Sequence, residues 1–278
     1  CNQFCSYCAI PFARGRERSL NHEQVIQIAK DLCDKGHTEI VLTGIHTGRY
    51  DDGEYDLAKL MKALLENTPD SVYYRISSIE ITEVSDALIA LMKENPRMCH
   101  HLHIPVQSAC NETLRRMNRP YTIEEFKEKI NYIRFCIPDI SISTDVIAGF
   151  VQESDEEFET TYENLADLEL SFFHVFPYSK RNGTKASTLK GEINGKVAKA
   201  RVARLLELSN ACRERDMKRF NPVQVLIERK QDGYYTGYTN QYHSCKILSD
   251  TPLSGRITIE WDRIEDGTYY GKKDVVCD

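Results

Sequence analysis

An α/β fold with a small all-β domain at its C-terminal end is what this sequence predicts, on three observations. Short apolar runs alternate with amphipathic helical stretches, the pattern of repeated βα units around a parallel sheet. The strand candidates recur at intervals of roughly 30–40 residues, which suits either a βα barrel or a doubly wound sheet. After Asn221-Pro222 the texture changes to short β-branched or aromatic segments divided by Gly, Asn and Asp.

The strand candidates of the first part are TEIVLT (38–43), VYYRIS (72–77), HHLHIP (100–105), ISISTDVI (140–147) and SFFHVF (171–176). Asn21 is placed to cap the helix that ends before Gly36. Thr122 with Glu125, and Ser154 with Glu157, have capping-box spacing. The charged stretch from Gly195 to Phe220 reads as one long helix, with Val202, Leu205, Leu206 and Leu208 as its apolar patch. VQVLIER, YYTGYTN, HSCKILS, GRITIEW and GTYYGKKDVV are the strands of the last domain. The predicted boundary separates residues 1–220 from residues 221–278.

Composition narrows the function classes. A formal net charge of −6 over 278 residues carries no global nucleic-acid signature, so RNA contact has to come from local patches. No stretch is apolar enough to span a bilayer and no secretory signal is present, so no membrane partner is expected. Ten cysteines without an export signal point to a reducing, cytoplasmic setting. The chain opens on Cys1 rather than Met, and a preceding portion is expected.

The chemistry starts with Cys1, Cys5 and Cys8, inside CNQFCSYCAIPFARGRERS. This spacing is also one face of a helix, where cysteine is an ordinary small core residue. Pro11, Gly15 and the scarcity of apolar periodicity around the thiols oppose that reading. Three thiolates with a histidine make a structural zinc set. They also hold three irons of a four-iron cube and leave the fourth iron without a protein ligand. Spacing alone leaves zinc and iron–sulfur level.

Polar or special residues end almost every predicted strand: Thr43-Gly44, then Ser77-Ser78-Ile79-Glu80, Pro105-Val106-Gln107-Ser108, Gly149, and Pro177-Tyr178-Ser179. In a parallel βα barrel the active site sits at those ends. With a strand before Cys1, the thiol loop joins the same rim.

CNQFCSYC resembles the CxxxCxxC signature of radical S-adenosylmethionine enzymes, and IPFARGRERS its continuation in the methylthiotransferase branch. HIPVQSACNETLRRMNRPYT, STDVIAGFVQESDEEFE and HVFPYSKRNGTKAS are similar to further motifs of that branch. The last segment resembles the TRAM RNA-binding domain. SSIE and HVFPYSKR look most like the tRNA N6-threonylcarbamoyladenosine methylthiotransferases; the alternatives act on isopentenyladenosine in tRNA or on a ribosomal protein. The resemblance implies a partial (βα)6 TIM-like radical SAM barrel over 1–220 and a TRAM-like β-barrel over 221–278. It implies methylthiolation at adenine C2 of N6-threonylcarbamoyladenosine at tRNA position 37. The reaction opens with reductive cleavage of S-adenosylmethionine to methionine and a 5′-deoxyadenosyl radical.

By the same resemblance Cys1, Cys5 and Cys8 hold a [4Fe-4S] cluster. Tyr7 lies near the adenine of S-adenosylmethionine, and Thr43 and Gly44 offer backbone groups to the methionine amine. Ser78 and Glu80 bond the methionine or ribose end, with Gln107 nearby. Ile147 and Gly149 flank the adenine, and Arg119 pairs with a carboxylate; a surface charge is the plain alternative for Arg119. A second [4Fe-4S] cluster is expected on a missing N-terminal domain. Cys33, Cys99, Cys110, Cys136, Cys212, Cys245 and Cys277 show no spacing that replaces it. The chain alone is therefore expected to cleave S-adenosylmethionine without completing methylthiolation. The implied partners are tRNA and a one-electron reductant such as flavodoxin or ferredoxin. Two motifs depart from the branch: LQSG reads VQSA, and GFPGE reads GFVQE, which changes the turn conformations that come easily.

Arg14, Arg16 and Arg18 beside the thiols, and Lys180 with Arg181 after the fifth strand candidate, are the candidate phosphate contacts. Tyr234, Tyr235, Tyr238 and Tyr242 are candidate base-stacking residues, with sheet packing as the plain alternative. Residues 221–278 carry seven Lys/Arg against nine Asp/Glu, so that domain is not basic. The rival of another class is a zinc-stabilised, non-catalytic RNA-binding module.

Overall fold

A computed structural model describes residues 1–273; Cys277 and the end of GTYYGKKDVV lie outside the described residues. All five strand candidates of the first part form strands: β1 (Glu39–Leu42), β2 (Tyr73–Ile76), β3 (His101–His103), β4 (Ser141–Ala148) and β5 (Phe172–Pro177). β1 pairs in parallel with β2, and β3, β4 and β5 form a second parallel run. Backbone bonds from Tyr74 N–H to the Arg97 carbonyl (2.8 Å) and from Ile79 N–H to the His103 carbonyl (3.0 Å) join the two runs. Spatial order thus follows chain order without the reversal of a doubly wound sheet, and the five strands make an arc of a barrel.

The helices are α1 (Ile10–Arg14), α2 (His22–Asp34), α3 (Leu57–Asn67), α4 (Asp86–Glu94), α5 (Asn111–Met117), α6 (Ile123–Cys136), α7 (Asp155–Asp167) and α8 (Gly195–Met217). Asn21 caps α2 by accepting from Glu23 N–H at 2.9 Å. Both capping boxes form, at Thr122/Glu125 and at Ser154/Glu157. In α8, Leu205 is fully buried and Val202 and Leu208 pack against the same core. Leu206 is exposed instead, because one helical step from Leu205 turns it about 100° away from the buried face.

Alternation along the strands sets the two faces of the arc. Leu102, Ile104, Ile142 and Val146 are completely buried under the helices with Leu64, Leu88, Phe126 and Ile130. Each such side chain contributes about 1.5–3 kcal/mol through burial. The alternate positions carry Glu39, Arg75, His101, His103, Ser143, Asp145 and His174, with Val41, Ile147, Phe172 and Phe176 among them, so polar groups line much of the inner face. Arg75 Nε bonds Glu39 Oε1 there at 2.8 Å.

After α8 the chain enters a six-stranded sheet of β6 (Val223–Gln231), β7 (Tyr234–Thr239), β8 (Ser244–Leu248), β9 (Gly255–Ile259), β10 (Trp261–Glu265) and β11 (Thr268–Lys272). The order is β10-β11-β8-β7-β6-β9, over a separate core of Val223, Val225, Ile247, Ile259 and Tyr269. GRITIEW, read as one strand, breaks at Glu260 into β9 and β10, which pair with β6 and β11 respectively.

This small domain docks on the end of the barrel where the strands begin. Tyr242 stacks on His101 with centroids 5.0 Å apart, and the Arg75 guanidinium lies 5.0 Å from the same ring. Arg75 also donates to the carbonyls of Thr239 (3.1 Å) and Asn240 (2.9 Å). Arg256 reaches Glu39 Oε2 at 2.6 Å, and Tyr269 donates to the Met217 carbonyl at 2.6 Å. Of the four tyrosines read as base-stacking candidates, Tyr235 is in the core and Tyr242 is in this interface.

Candidate cofactor site at the thiol loop

Residues 1–9 lie across the ends of the strands as a loop held by distant backbone groups. Ser6 N–H bonds the Met117 carbonyl at 2.9 Å, and Ser6 Oγ donates to the Arg116 carbonyl at 2.7 Å. These are carbonyls of the last turn of α5, which the helix itself leaves without partners. Asn118 ends α5 in the left-handed conformation (φ 59°), as Asn tolerates, and its amide donates to the Phe4 carbonyl at 3.0 Å. From the other side Ala186 N–H bonds the Ser6 carbonyl at 2.7 Å.

Cys1, Cys5 and Cys8 are half-buried and free of disulfides. Gln3 N–H points at Cys1 Sγ (3.4 Å) and Arg119 Nη1 at Cys5 Sγ (3.4 Å). Donors aimed at sulfur are the setting of a cluster-bound thiolate. Zinc would demand closer sulfurs, because bonds of about 2.3 Å in a tetrahedron separate its ligands by about 3.8 Å. The one set of donor atoms lying within 4.8 Å of one another among the described residues is His103, Asp145 and His174; the three thiols are more widely spaced. They fit a [4Fe-4S] cluster better than a zinc ion.

Arg119 is no surface charge. Its side chain is 2% exposed and reaches Glu80, the Pro105 carbonyl (3.1 Å) and Tyr121 Oη (2.8 Å) as well as Cys5. Tyr7 sits edge-on to Phe150, centroids 6.3 Å apart, in an apolar cluster with Met117, Ala186 and Ile147. Burial pushes the Tyr7 phenol well above its ordinary range; Arg119 opposes this, and Cys5 and Glu80 reinforce it. Tyr7 is therefore a neutral phenol at physiological pH.

Cys5, Tyr7, Glu80, Arg119 and Ile147 thus meet around the thiol loop, with Ser78 half-buried at the end of β2 nearby in sequence. Gln107 is left-handed (φ 67°) and its backbone is committed to β4, donating to Asp145 O at 2.9 Å and accepting from Ile147 N–H at 2.8 Å. Thr43 and Gly44 follow β1, whose Leu42 carbonyl accepts from Ser77 N–H at 3.0 Å. They are exposed on the wall of a cavity of about 530 Å³, beside the free edge of β1, with Cys1 at its mouth and Leu57, Leu60 and Leu64 beneath. Gly149 has φ 71°, and a Cβ there would meet Ala198 Cβ of α8 at 2.8 Å; the close approach it permits is helix packing. Gln152 takes a left-handed φ of 65° at the place where the GFPGE pattern has Gly.

Arg14, Arg16 and Arg18 are exposed around that same cavity. Lys180 pairs with Glu192 at 2.7 Å, and Arg181 is exposed. The turn carrying Arg181 adjoins the thiol loop through the Ala186–Ser6 bond. Sequence reasoning missed Ser6, Asn118 and Tyr121, whose roles are long-range and leave no local signal. His103, Asp145 and His174, which no sequence pattern singled out, come together on the inner face of β3, β4 and β5.

The sequence pattern of the Radical SAM superfamily matches residues 1–165. The chain is 38% identical to the threonylcarbamoyladenosine tRNA methylthiotransferase MtaB of Bacillus subtilis, over 92% of this chain and 59% of that protein. It is 40% identical to the protein of the same name from Aquifex aeolicus, over 77% and 52%. With the tRNA-2-methylthio-N(6)-dimethylallyladenosine synthase of Thermodesulfovibrio yellowstonii the figures are 36%, 90% and 58%. The chain thus spans little more than half the length of these curated relatives. Among solved structures, methylornithine synthase (PylB) superposes with TM-score 0.54 at 15% identity, covering 77% of this chain and 60% of that one. Coproporphyrinogen III oxidase (HemN) from Escherichia coli gives 0.54 at 17%, covering 78% and 50%. Both are likenesses of fold alone. With the family pattern running from the thiol loop through β4 into α7, and this barrel arc beneath it, the chain belongs to the Radical SAM superfamily.

Proposed function

We propose that this chain is the radical-generating and RNA-docking part of a tRNA methylthiotransferase acting on N6-threonylcarbamoyladenosine. What carries the reading is the meeting of Cys5, Glu80 and Arg119 at one rim, in a chain 38% identical to an enzyme named for that nucleoside. Bound together, a [4Fe-4S] cluster and S-adenosylmethionine supply one-electron cleavage of a sulfonium and a carbon radical. Cys1, Cys5 and Cys8 hold the cluster. Arg119 places a positive charge against the Cys5 sulfur and keeps Glu80 oriented toward the ligand. Tyr7 and Ile147 form the apolar wall for the adenine, Gly149 shapes the segment after β4, and Gln107 and Ser78 supply polar contacts. Thr43 and Gly44 offer backbone groups from the other side of the loop. Arg14, Arg16, Arg18, Lys180 and Arg181 grip tRNA phosphates around the rim.

A domain N-terminal to Cys1 would carry a second cluster, and a flavodoxin or ferredoxin would deliver electrons. The chain alone then cleaves S-adenosylmethionine and does not finish methylthiolation. The test is anaerobic reconstitution with iron and sulfide, followed by S-adenosylmethionine and a strong reductant. A brown protein with about four irons per chain that forms 5′-deoxyadenosine is expected. A colourless protein keeping one zinc per chain overturns the reading in favour of a zinc-stabilised RNA-binding module. The 36% identity to a dimethylallyladenosine synthase keeps that nucleoside as the second reading; nucleoside analysis of tRNA treated with the full-length enzyme separates the two.

A further inference from the structure

We propose that His103, Asp145 and His174 form a binding site for a divalent transition-metal ion, zinc or ferrous iron, on the inner face of the barrel. Their donor atoms all lie within 4.8 Å of one another, and His103 Nε2 is 3.2 Å from Asp145 Oδ1. Donors bound about 2.0–2.2 Å from one ion stand about 3–3.5 Å apart, so this pair already has the required separation. The slack lies with His174, which is exposed on β5 with its ring centroid 5.7 Å from that of His103. A small rotation of that imidazole closes the set. Two imidazoles and one carboxylate, with further positions open, are the donor set of zinc and non-haem iron(II).

The three residues come from adjacent strands, and Asp145 and His174 are direct neighbours in register. The site is also backed from behind. Ser143 Oγ lies 2.9 Å from His103 Nδ1 and 3.0 Å from His101 Nε2. In the tautomer with Nδ1 protonated, the hydroxyl accepts from Nδ1–H and the Nε2 lone pair faces Asp145, the outer hydrogen bond that a ligating histidine needs. His103 Nε2 and the carboxylate oxygen face each other at 3.2 Å, a contact bridged either by a metal ion or by a proton on Nε2. Asp145 stands two residues before Ile147 on β4, and His103 four before Gln107, one layer deeper than the thiol rim. The open positions of the ion face the interior of the barrel. There they take an oxygen donor, a carboxylate or hydroxyl, from a molecule seated in it.

The test is an anaerobic titration of cluster-loaded protein, its thiols already occupied, with Zn²⁺ and Co²⁺. One further ion per chain is expected, with Co²⁺ bands lacking intense sulfur charge-transfer absorption. His174→Ala and Asp145→Asn are expected to weaken uptake at least tenfold, and Ser143→Ala by about 10–100-fold. Because His174 is exposed, His174→Ala is expected to keep the wild-type melting curve, which separates lost binding from lost folding. If no cluster loads, the same titration on the combined Cys1→Ser, Cys5→Ser, Cys8→Ser protein keeps the two questions apart. No stoichiometric ion at about 100 μM, or equal uptake by His174→Ala, overturns the proposal and leaves a proton-bridged pair.

Discussion

Arg119 ties together two strand ends, the turn before α6 and the thiol loop through Glu80, the Pro105 carbonyl, Tyr121 and Cys5. Removing one partner of a buried pair leaves the other charge without compensation, at a cost of about 3–5 kcal/mol. Arg119→Ala is therefore expected to lower stability by that order, read from denaturant unfolding, and to reduce iron retention. Arg119→Lys keeps the charge without the forked geometry and is expected to fall between the two. Tyr7→Ala is a cleaner probe of ligand binding. S-adenosylmethionine affinity is expected to drop while iron content holds; equal loss of iron would mean that Tyr7 only packs the loop. The thiols were legible because their spacing is local. Arg119 was legible only as an alternative between ligand and surface, since nothing in RRMNR tells which of its arginines turns inward.

At the scale of elements, the thiol loop is fastened by contacts it does not carry in its own sequence. Ser6→Ala removes the hydroxyl bond to the Arg116 carbonyl and is expected to cost about 1 kcal/mol. Faster loss of iron to a chelator is the measurement; an unchanged rate would show the backbone bonds suffice. Gln152 is the second case. A non-glycine residue in the left-handed region costs about 1–2 kcal/mol, offset here by bonds from its backbone N–H to the Gly191 carbonyl (2.8 Å) and from its side chain to the Lys190 carbonyl (2.9 Å). Gln152→Gly is expected to stabilise the fold by about 0.5–1 kcal/mol, seen as a higher denaturant midpoint. Capping boxes at Thr122 and Ser154 were readable because both partners lie three residues apart. Ser6 was not, because its partners lie 110 residues away or more. Strand positions were readable from apolar runs, whereas the break at Glu260 depends on which neighbours β9 and β10 find.

For the whole molecule, the junction of barrel and β domain rests on a buried charge group. Asp216 accepts from His243 (2.8 Å) and Ser141 (2.5 Å), and Arg219 lies beside it. Burial raises the Asp216 carboxyl, but His243, Ser141 and Arg219 outweigh it and hold the group below its ordinary value. A carboxyl depressed in the folded state contributes stability above its unfolded pKa of about 3.9, lost as pH falls through the folded value. Asp216→Asn is expected to melt lower than wild type at neutral pH, with the gap constant above about pH 5 and closing below about pH 4. A gap that persists in acid would assign the loss to shape rather than charge. No helix among the described residues is long and apolar enough to cross a membrane.

The braces of the thiol loop also fix an order of events during synthesis. The cysteines are synthesised well before the groups that hold their loop, which sit at Arg116–Arg119 and Ala186. Long-range closures of this kind come late in folding. Iron loading therefore follows synthesis through Ala186, and a nascent chain stalled before Ala186 carries thiols with no formed site.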